Sequence, residues 1–358
     1  MKRVTYISNF NRPLTTDEIE NIGEVSIRNN KRDELTGALF CFRNIFYQIL
    51  EGPEERLDAC FQRISADDRH GNVFVLNTEH NIAERQYPEW SMKTVVLDEN
   101  TDSLVRPIKN LLATITRNHR ILEKYTPQKV LAALQSGDNP EEIKPILEEK
   151  IILFSDIVGS TSLLEVLDID SSVRLLDHYY RISTAAIEET GGEISKLTGD
   201  GMMAYYNADK ADQAIEGAMR ILRDLVELRN SAGTADPARL LYTGIGIGCG
   251  VALECNIGST LAREYTLLGD SVNTTARLEA VTRRVKRGLV FDESLRSRIQ
   301  TNKWETVRLG TYLPKGKQQK ISIYSIKDPA AHLPVNSKEL LQMLRSLPGV
   351  TRRGNDAA

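Results

Sequence analysis

Cysteine is scarce: Cys41, Cys60, Cys249 and Cys255 are the four in 358 residues, no two form a CxxC pair, and the five histidines are scattered. A disulfide framework or a structural zinc site is therefore not expected; reduced thiols in a cytoplasmic setting are. No apolar run approaches the roughly 20 residues a membrane span needs, and the opening MKRVTYISNF lacks the apolar core of a secretory leader. Neither sign of charge is in excess, with 46 Lys and Arg against 49 Asp and Glu and a net charge of −3. That balance argues against nucleic acid or an anionic membrane surface as partner. A glycine-rich GxGxxG loop is also missing, which excludes a nicotinamide-type dinucleotide site.

What is present centres on residues 150–162, KIILFSDIVGSTS. Four apolar residues (Ile151, Ile152, Leu153, Phe154) stop at Ser155-Asp156; small residues follow, then the amphipathic Leu163, Leu164, Val166 and Leu167. That order predicts a buried strand, a loop and a capped helix of residues 161–190. Asp156 then sits at the carboxyl end of a strand, beside helix-start N–H groups able to hold phosphate. A second carboxylate, Asp200, lies in Thr198-Gly199-Asp200-Gly201 between two strand-like runs, which predicts a hairpin. Neighbouring carboxylates at strand ends suit Mg²⁺, whose oxygen ligands are commonly one or two carboxylates completed by phosphate and water. Taken singly, each aspartate serves equally well as a cap or a turn residue.

A third element, EYTLLGDSVNTTARLEA at 264–280, predicts a helix opening at Asp270, with Asn273 and Arg277 four apart on one face. An amide and a guanidinium so placed suit a ribose oxygen and a phosphate, although a solvated helix face has the same look. Together FSDI at 154–157, GD at 199–200 and LGDSVNTTARLE at 268–279 resemble the catalytic domain of class III nucleotide cyclases, in the family's order and spacing. The resemblance implies that Asp156 and Asp200, helped by the Ile157 carbonyl, hold two Mg²⁺ ions, with Mn²⁺ as the alternative. It assigns Asn273 to ribose orientation and Arg277 to charge on the α-phosphate. Lys315 becomes the triphosphate contact, with Lys317 beside it. Lys196 and Thr266 fall at the purine-selecting positions, where Lys with Thr or Asp goes with ATP and Glu with Cys with GTP. The chemistry agrees: adenine offers an acceptor at N1 and an amino donor at N6, guanine the reverse. The family splits these residues between subunits, so a homodimer with sites at the subunit interface is implied. The family usually has glycine where Cys255 stands, which would cost stability if that backbone requires positive φ; Thr275 replaces a usual alanine.

The first hundred residues predict a β-α-β-β-α-β order, a ferredoxin-like plan. Polar residues stand there where a core would be apolar: Gln48 inside FYQIL, Tyr6 in the first strand, and Asn29-Asn30 at the expected end of the first helix. An outward Gln, a half-buried Tyr and a C-capping Asn pair are one reading; buried amides waiting for a polar ring are the other. Tyr6, Asn29-Asn30, TGAL at 36–39, Gln48 within FYQILEGP, DDRH at 67–70 and Trp90-Ser91-Met92 resemble the BLUF family of flavin-binding blue-light sensors. The resemblance implies non-covalent FAD, with FMN as the alternative. Tyr6 would be the electron and proton donor and Gln48 the bridge to the ring. Asn30 would hold the pyrimidine edge, with Asn29 nearby. Arg69 and His70 would lie along the phosphate tail, and Trp90 and Met92 on the output side.

Between the two units, Leu104, Ile108, Leu111, Ile115, Asn118 and Leu122 recur at steps of four and three. This is the pattern of a short coiled-coil seam with one polar position, or of a helix packed on its own domain. Alternating Gly244, Gly246, Gly248 and Gly250 present a bare strand face that invites close backbone or ligand approach. The expected class is α+β: a sensor at 1–97, a helical coupler at 98–149, a catalytic unit at 150–328 and a tail at 329–358. The expected activity is a light-regulated adenylyl cyclase acting on ATP. An inert nucleotide-binding module behind a photosensor, and a redox-sensing flavin cyclase, are the alternatives.

Overall fold

Four strands in the spatial order fourth, first, third, second build the sheet on which the first unit buries its apolar residues. The computed structural model describes residues 1–97, 105–259, 262–333 and 337–347, and the chain divides into compact units Met1–Ile143 and Lys144–Ala358. In the first unit, β1 (Lys2–Phe10) lies between β3 (Ile45–Gly52) and β4 (His70–Glu79). β2 (Thr36–Phe42) joins β3 through a tight turn in which Arg43 takes a φ of 51°. β5 (Lys93–Val96) adds a parallel edge to β2. Because strand side chains alternate, Val4 and Tyr6 of β1 face the helices α1 (Thr16–Arg32) and α2 (Glu54–Ser65), while Ile7 faces the other way. A capping box between Thr15 and Glu18 starts α1, which continues two residues past Asn30 to Arg32. The asparagine pair is therefore helical, and Asp33 is the cap.

On the opposite face of this sheet, Leu112 of α3 (Val105–Tyr125) joins Ile7, Phe42, Ile45 and Leu97. Residues 98–104, including Leu104 of the expected seam, lie outside the described residues, as does the Ile108 side chain. Of the remaining seam positions, Ile115 packs against the sheet cluster, whereas Leu111 and Leu122 are 59% and 41% exposed and Asn118 is exposed. The helix thus spends one face on its own domain and leaves Leu111, Ile121, Leu122 and Tyr125 open. α4 (Gln128–Ser136) ends at Gly137, whose φ of 81° a side chain rarely adopts.

The second unit repeats the plan. β6 (Ile146–Ile157) lies between β9 (Thr243–Gly258) and β8 (Gly201–Asn207), and β7 (Glu193–Leu197) follows, giving β9-β6-β8-β7. β11 (Leu289–Asp292), β13 (Ile321–Ile326) and β12 (Thr306–Tyr312) extend the sheet beyond β9, and β10 (Arg263–Leu268) folds back on β9. The expected single helix after β6 is two, α5 (Ser160–Val166) and α6 (Ile169–Glu189). The break falls where Asp168 caps α6 by accepting the Ser171 N–H at 2.8 Å. One sheet face is covered by α6 and α7 (Ala211–Ser231) through Leu175, Tyr179, Ile215 and Ala218. Leu340 and Leu344 of α10 (Ser337–Ser346) sink into the same core, so this part of the expected tail belongs to the unit. A short helix, α9 (Glu293–Arg296), follows β11.

The bare glycine face receives backbone. α8 (Asp270–Val285) lies directly on it: a Cβ at Gly246 would come within 2.3 Å of the Glu279 backbone nitrogen, and one at Gly248 within 2.4 Å of Thr275 Oγ1. Thr275 is buried there and satisfies its hydroxyl on the Ser271 carbonyl at 2.8 Å. Cys255 raises no strain, because it sits in extended β9 opposite Thr266, and Gly258 takes the positive φ of 142° at the strand's end.

Candidate active site and flavin pocket

The register of β6 decides the first feature of the site. Asp156 pairs with Gly201 on one side and Gly244 on the other. A Cβ at Gly201 would lie 2.6 Å from the Ser155 carbonyl oxygen and 3.1 Å from Asp156 Oδ1, so glycine keeps the approach open. Asp200, in the turn just before β8, accepts the Ile157 N–H on its backbone carbonyl at 3.1 Å. The two carboxylates meet as expected from the strand and hairpin. Burial, and then the facing Asp200 charge, push the Asp156 carboxyl up to about 6. Asp200 accepts a hydrogen bond from Ser160 Oγ at the start of α5.

Three residues of this site have no role in the motif reading, although two of them, Ser160 and Glu279, stand within the stretches it quotes. Ser160 is one. Arg283 donates from Nη2 to Asp156 Oδ2 at 2.5 Å and from Nη1 to Glu279 Oε1 at 2.7 Å, and Glu279 is buried and raised to about 7, chiefly by burial. Glu279 and Arg283 stand four apart, the same spacing as Asn273 and Arg277; that periodicity was the available signal. Asn273 is exposed and Arg277 half-buried, and neither side chain has a hydrogen-bond or ion-pair partner among the described residues. Within one chain, then, Asp156 is reached by Arg283 and not by Arg277.

Of the purine-selecting candidates, Lys196 stands on β7 and Thr266 on β10. Lys196 Nζ donates to Glu264 Oε1 at 2.6 Å, two residues before Thr266. Thr266 is 3% exposed, and its Oγ1 has no partner among the described residues. Such a buried hydroxyl has an unspent hydrogen bond. Lys315 is exposed in the β12–β13 connection, and Lys317 pairs with Asp270.

In the first unit, the Tyr6 hydroxyl donates to Gln48 Oε1, and Gln48 Nε2 donates to Met92 Sδ at 3.6 Å. All three are buried, and burial holds the Tyr6 phenol well above its ordinary range. Asn30 is 2% exposed and donates to the Ser91 carbonyl at 2.7 Å; Asn29 is half-buried. Trp90 is 42% exposed and stacked on Tyr87. Arg69 is engaged by Asp67, and His70 turns inward, its Nδ1 2.8 Å from Ser8 Oγ and its ring 4.7 Å from Phe46. Burial lowers His70 to about 4, so it is neutral. Glu51, quoted within FYQILEGP but given no role there, is a buried carboxylate that takes the Gln86 and Tyr87 N–H groups at 2.8 and 2.7 Å and Arg3 Nε at 2.9 Å. It pins the segment that leads to Trp90, and its signal was a charge at the end of an apolar run.

Residues 144–328 match the family model "Adenylate and Guanylate cyclase catalytic domain". The chain belongs to the adenylate and guanylate cyclase family. Residues 1–93 match a second model, "Sensors of blue-light using FAD", so the expected BLUF unit followed by a class III cyclase unit is met. A solved bacterial light-regulated adenylyl cyclase is 40% identical, with a TM-score of 0.85, over 97% of this chain and 100% of that one. Photoactivated adenylate cyclase subunits beta of Euglena gracilis and Euglena longa are each 28% identical over 298 residues, 83% of this chain. The chain spans about a third of the length of these curated relatives, 34% in both.

The two families imply a flavin in the first unit and a divalent metal in the second. The residues fit both. One N–H of Gln48 has only a thioether as acceptor, and buried amides at Gln48 and Asn30 suit a ring edge of alternating donors and acceptors. Asp156 and Asp200 provide two apposed carboxylates. Mg²⁺ is commonly held by one or two carboxylates, the rest of its shell being phosphate and water.

Proposed function

We propose that this chain is a blue-light-activated adenylyl cyclase that converts ATP to 3′,5′-cyclic AMP and pyrophosphate as a homodimer. The apposition of Asp156 and Asp200 at the end of β6 and the β7–β8 turn carries the reading. In the reaction the ribose 3′-oxygen attacks the α-phosphorus, the bond to the β-phosphate oxygen breaks, and the 3′-hydroxyl proton passes to solvent. Two Mg²⁺ ions held by Asp156, Asp200 and the Ile157 carbonyl would supply charge neutralisation for both oxygens. Lys196 donates to adenine N1 and Thr266 Oγ1 accepts from N6. Asn273 orients the ribose, Arg277 meets charge on the α-phosphate, and Lys315 holds the triphosphate. Lys196, Thr266, Asn273 and Arg277 come from the partner subunit, which agrees with Asp156 being reached by Arg283 and not by Arg277 within one chain. The exposed Leu111–Asn118–Leu122 face of α3 is the dimer seam.

In the sensor unit, FAD supplies blue-light absorption. Tyr6 and Gln48 rearrange their hydrogen bond, and β5, which Met92 immediately precedes, passes the change to α3. We assign 1–97 to the sensor, 98–149 to the coupler and 150–328 to the catalytic unit, whose core also takes in α10 of the segment 329–358 expected as a tail.

The test is cyclic nucleotide production by purified protein in dark and blue light, with Mg-ATP and Mg-GTP in parallel. Cyclic AMP raised by light, with little cyclic GMP, is expected; Gln48→Leu abolishes the light response. Equal cyclic AMP in dark and light discards the coupling, and no product from either nucleotide discards the enzyme.

A further inference from the structure

The cation at Asp156 belongs to the protein itself. Arg283 reaches across from the last turn of α8 and places Nη2 2.5 Å from Asp156 Oδ2, while its Nη1 lies 2.7 Å from Glu279 Oε1. The contact is built into the fold, since α8 is seated on the glycine face of β9. A Cβ at Gly244, the register partner of Asp156, would lie 2.2 Å from Thr282 Oγ1 and 2.9 Å from Glu279 Oε1. Arg283 and Asp156 keep 27% and 33% of their side-chain surface exposed, so the pair is open at the cleft and free to separate. Glu279 is 8% exposed and has no such freedom.

We propose that Arg283 is a cationic placeholder: its guanidinium neutralises Asp156 until a divalent cation displaces it, and Glu279 is the anchor that keeps it when it leaves. The proposal rests on the metal reading of Asp156 and Asp200 given above. A metal ligand needs its oxygen lone pairs, and a guanidinium N–H occupies those of Oδ2. Metal binding therefore competes with one partly exposed ion pair, the kind of contact whose loss shifts an equilibrium by a small factor. Arg283 is in this sense a positioning residue, raising the cation concentration at which the site fills. Removal of Arg283 and removal of its anchor Glu279 are predicted to have opposite signs. Without Arg283, Oδ2 is free. Without the Glu279 charge, the guanidinium has Asp156 alone and holds it harder.

The experiment is titration of the full-length protein with Mn²⁺ alone, without nucleotide, following free Mn²⁺ by electron paramagnetic resonance. Thermal melts check that each variant is folded. Arg283→Gln is expected to tighten Mn²⁺ binding about two- to fivefold, and Glu279→Gln to weaken it by a similar factor. Both effects vanish in an Asp156→Asn background. Folded Arg283→Gln protein with unchanged or weaker binding overturns the placeholder, as does a shift of both variants in the same direction. Mn²⁺ binding that survives Asp156→Asn overturns the metal reading and the placeholder with it. Loss of binding in Asp156→Asn with no effect of Arg283→Gln overturns the placeholder alone.

Discussion

Thr266 keeps its hydroxyl buried and, among the described residues, unpartnered, while Lys196 of β7 is tied to Glu264 of β10. Read as a purine-edge reader, this pair predicts a change of preference. Lys196→Glu with Thr266→Cys presents an acceptor to N1 and removes the acceptor for an amino group, which fits guanine. The ratio of ATP to GTP turnover is expected to fall by about 30-fold or more, since two mismatched polar contacts cost about 1–3 kcal/mol each. An unchanged ratio in parallel assays would reject the assignment. His70 carries a pH prediction. Its folded pKa of about 4 lies below the ordinary 6.5, so folding favours the neutral ring. Between those values the unfolded chain binds the extra proton. The contribution is therefore complete above pH 6.5 and is lost as pH falls toward 4, about 3 kcal/mol in all. Urea unfolding at pH 7.5 and pH 5 should show the loss in wild type and lack that component in His70→Gln.

Helix α8 is the element on which the site depends, and its seat is the glycine face of β9. Gly246→Ala would drive a methyl group into the Glu279 backbone nitrogen at 2.3 Å, where no side chain can swing aside. A cost of roughly 2 kcal/mol or more is expected, with reduced activity as α8 lifts. Gly233, with nothing within 4 Å, is the control, and its alanine variant should change stability little. Denaturant midpoints of the two variants decide the matter. The alternating glycines were visible in the sequence, but what fills the bare face was not, because a ligand and a helix backbone ask the same absence of Cβ.

At the scale of the molecule, the proposal requires Asp200 from one protomer and Arg277 from its partner at each site. Asp200→Asn and Arg277→Ala homodimers should both be inactive. Exchanging their subunits should restore activity to about a quarter of wild type, because half the dimers are mixed and each of those has one intact site of two. Absence of recovery in mixtures shown by mass to contain heterodimers would place both groups in one chain.

The sequence by itself determined the two ferredoxin-like units, the strand end at Asp156, the hairpin at Asp200 and the α8 start at Asp270. These follow from local signals: apolar runs that stop, turn residues that punctuate, and helical spacing. It also marked Gln48 and Asn30 as polar residues within an apolar setting, which burial confirms. Only the tertiary structure decided that Arg283 and not Arg277 reaches Asp156, that Ser160 donates to Asp200, that Glu51 holds the segment before Trp90, and that α3 turns Leu112 inward and Leu122 outward. Each of these joins residues distant in the chain or chooses one helix face over another. Periodicity states that a face exists, and the packing of one element on another selects which face is spent.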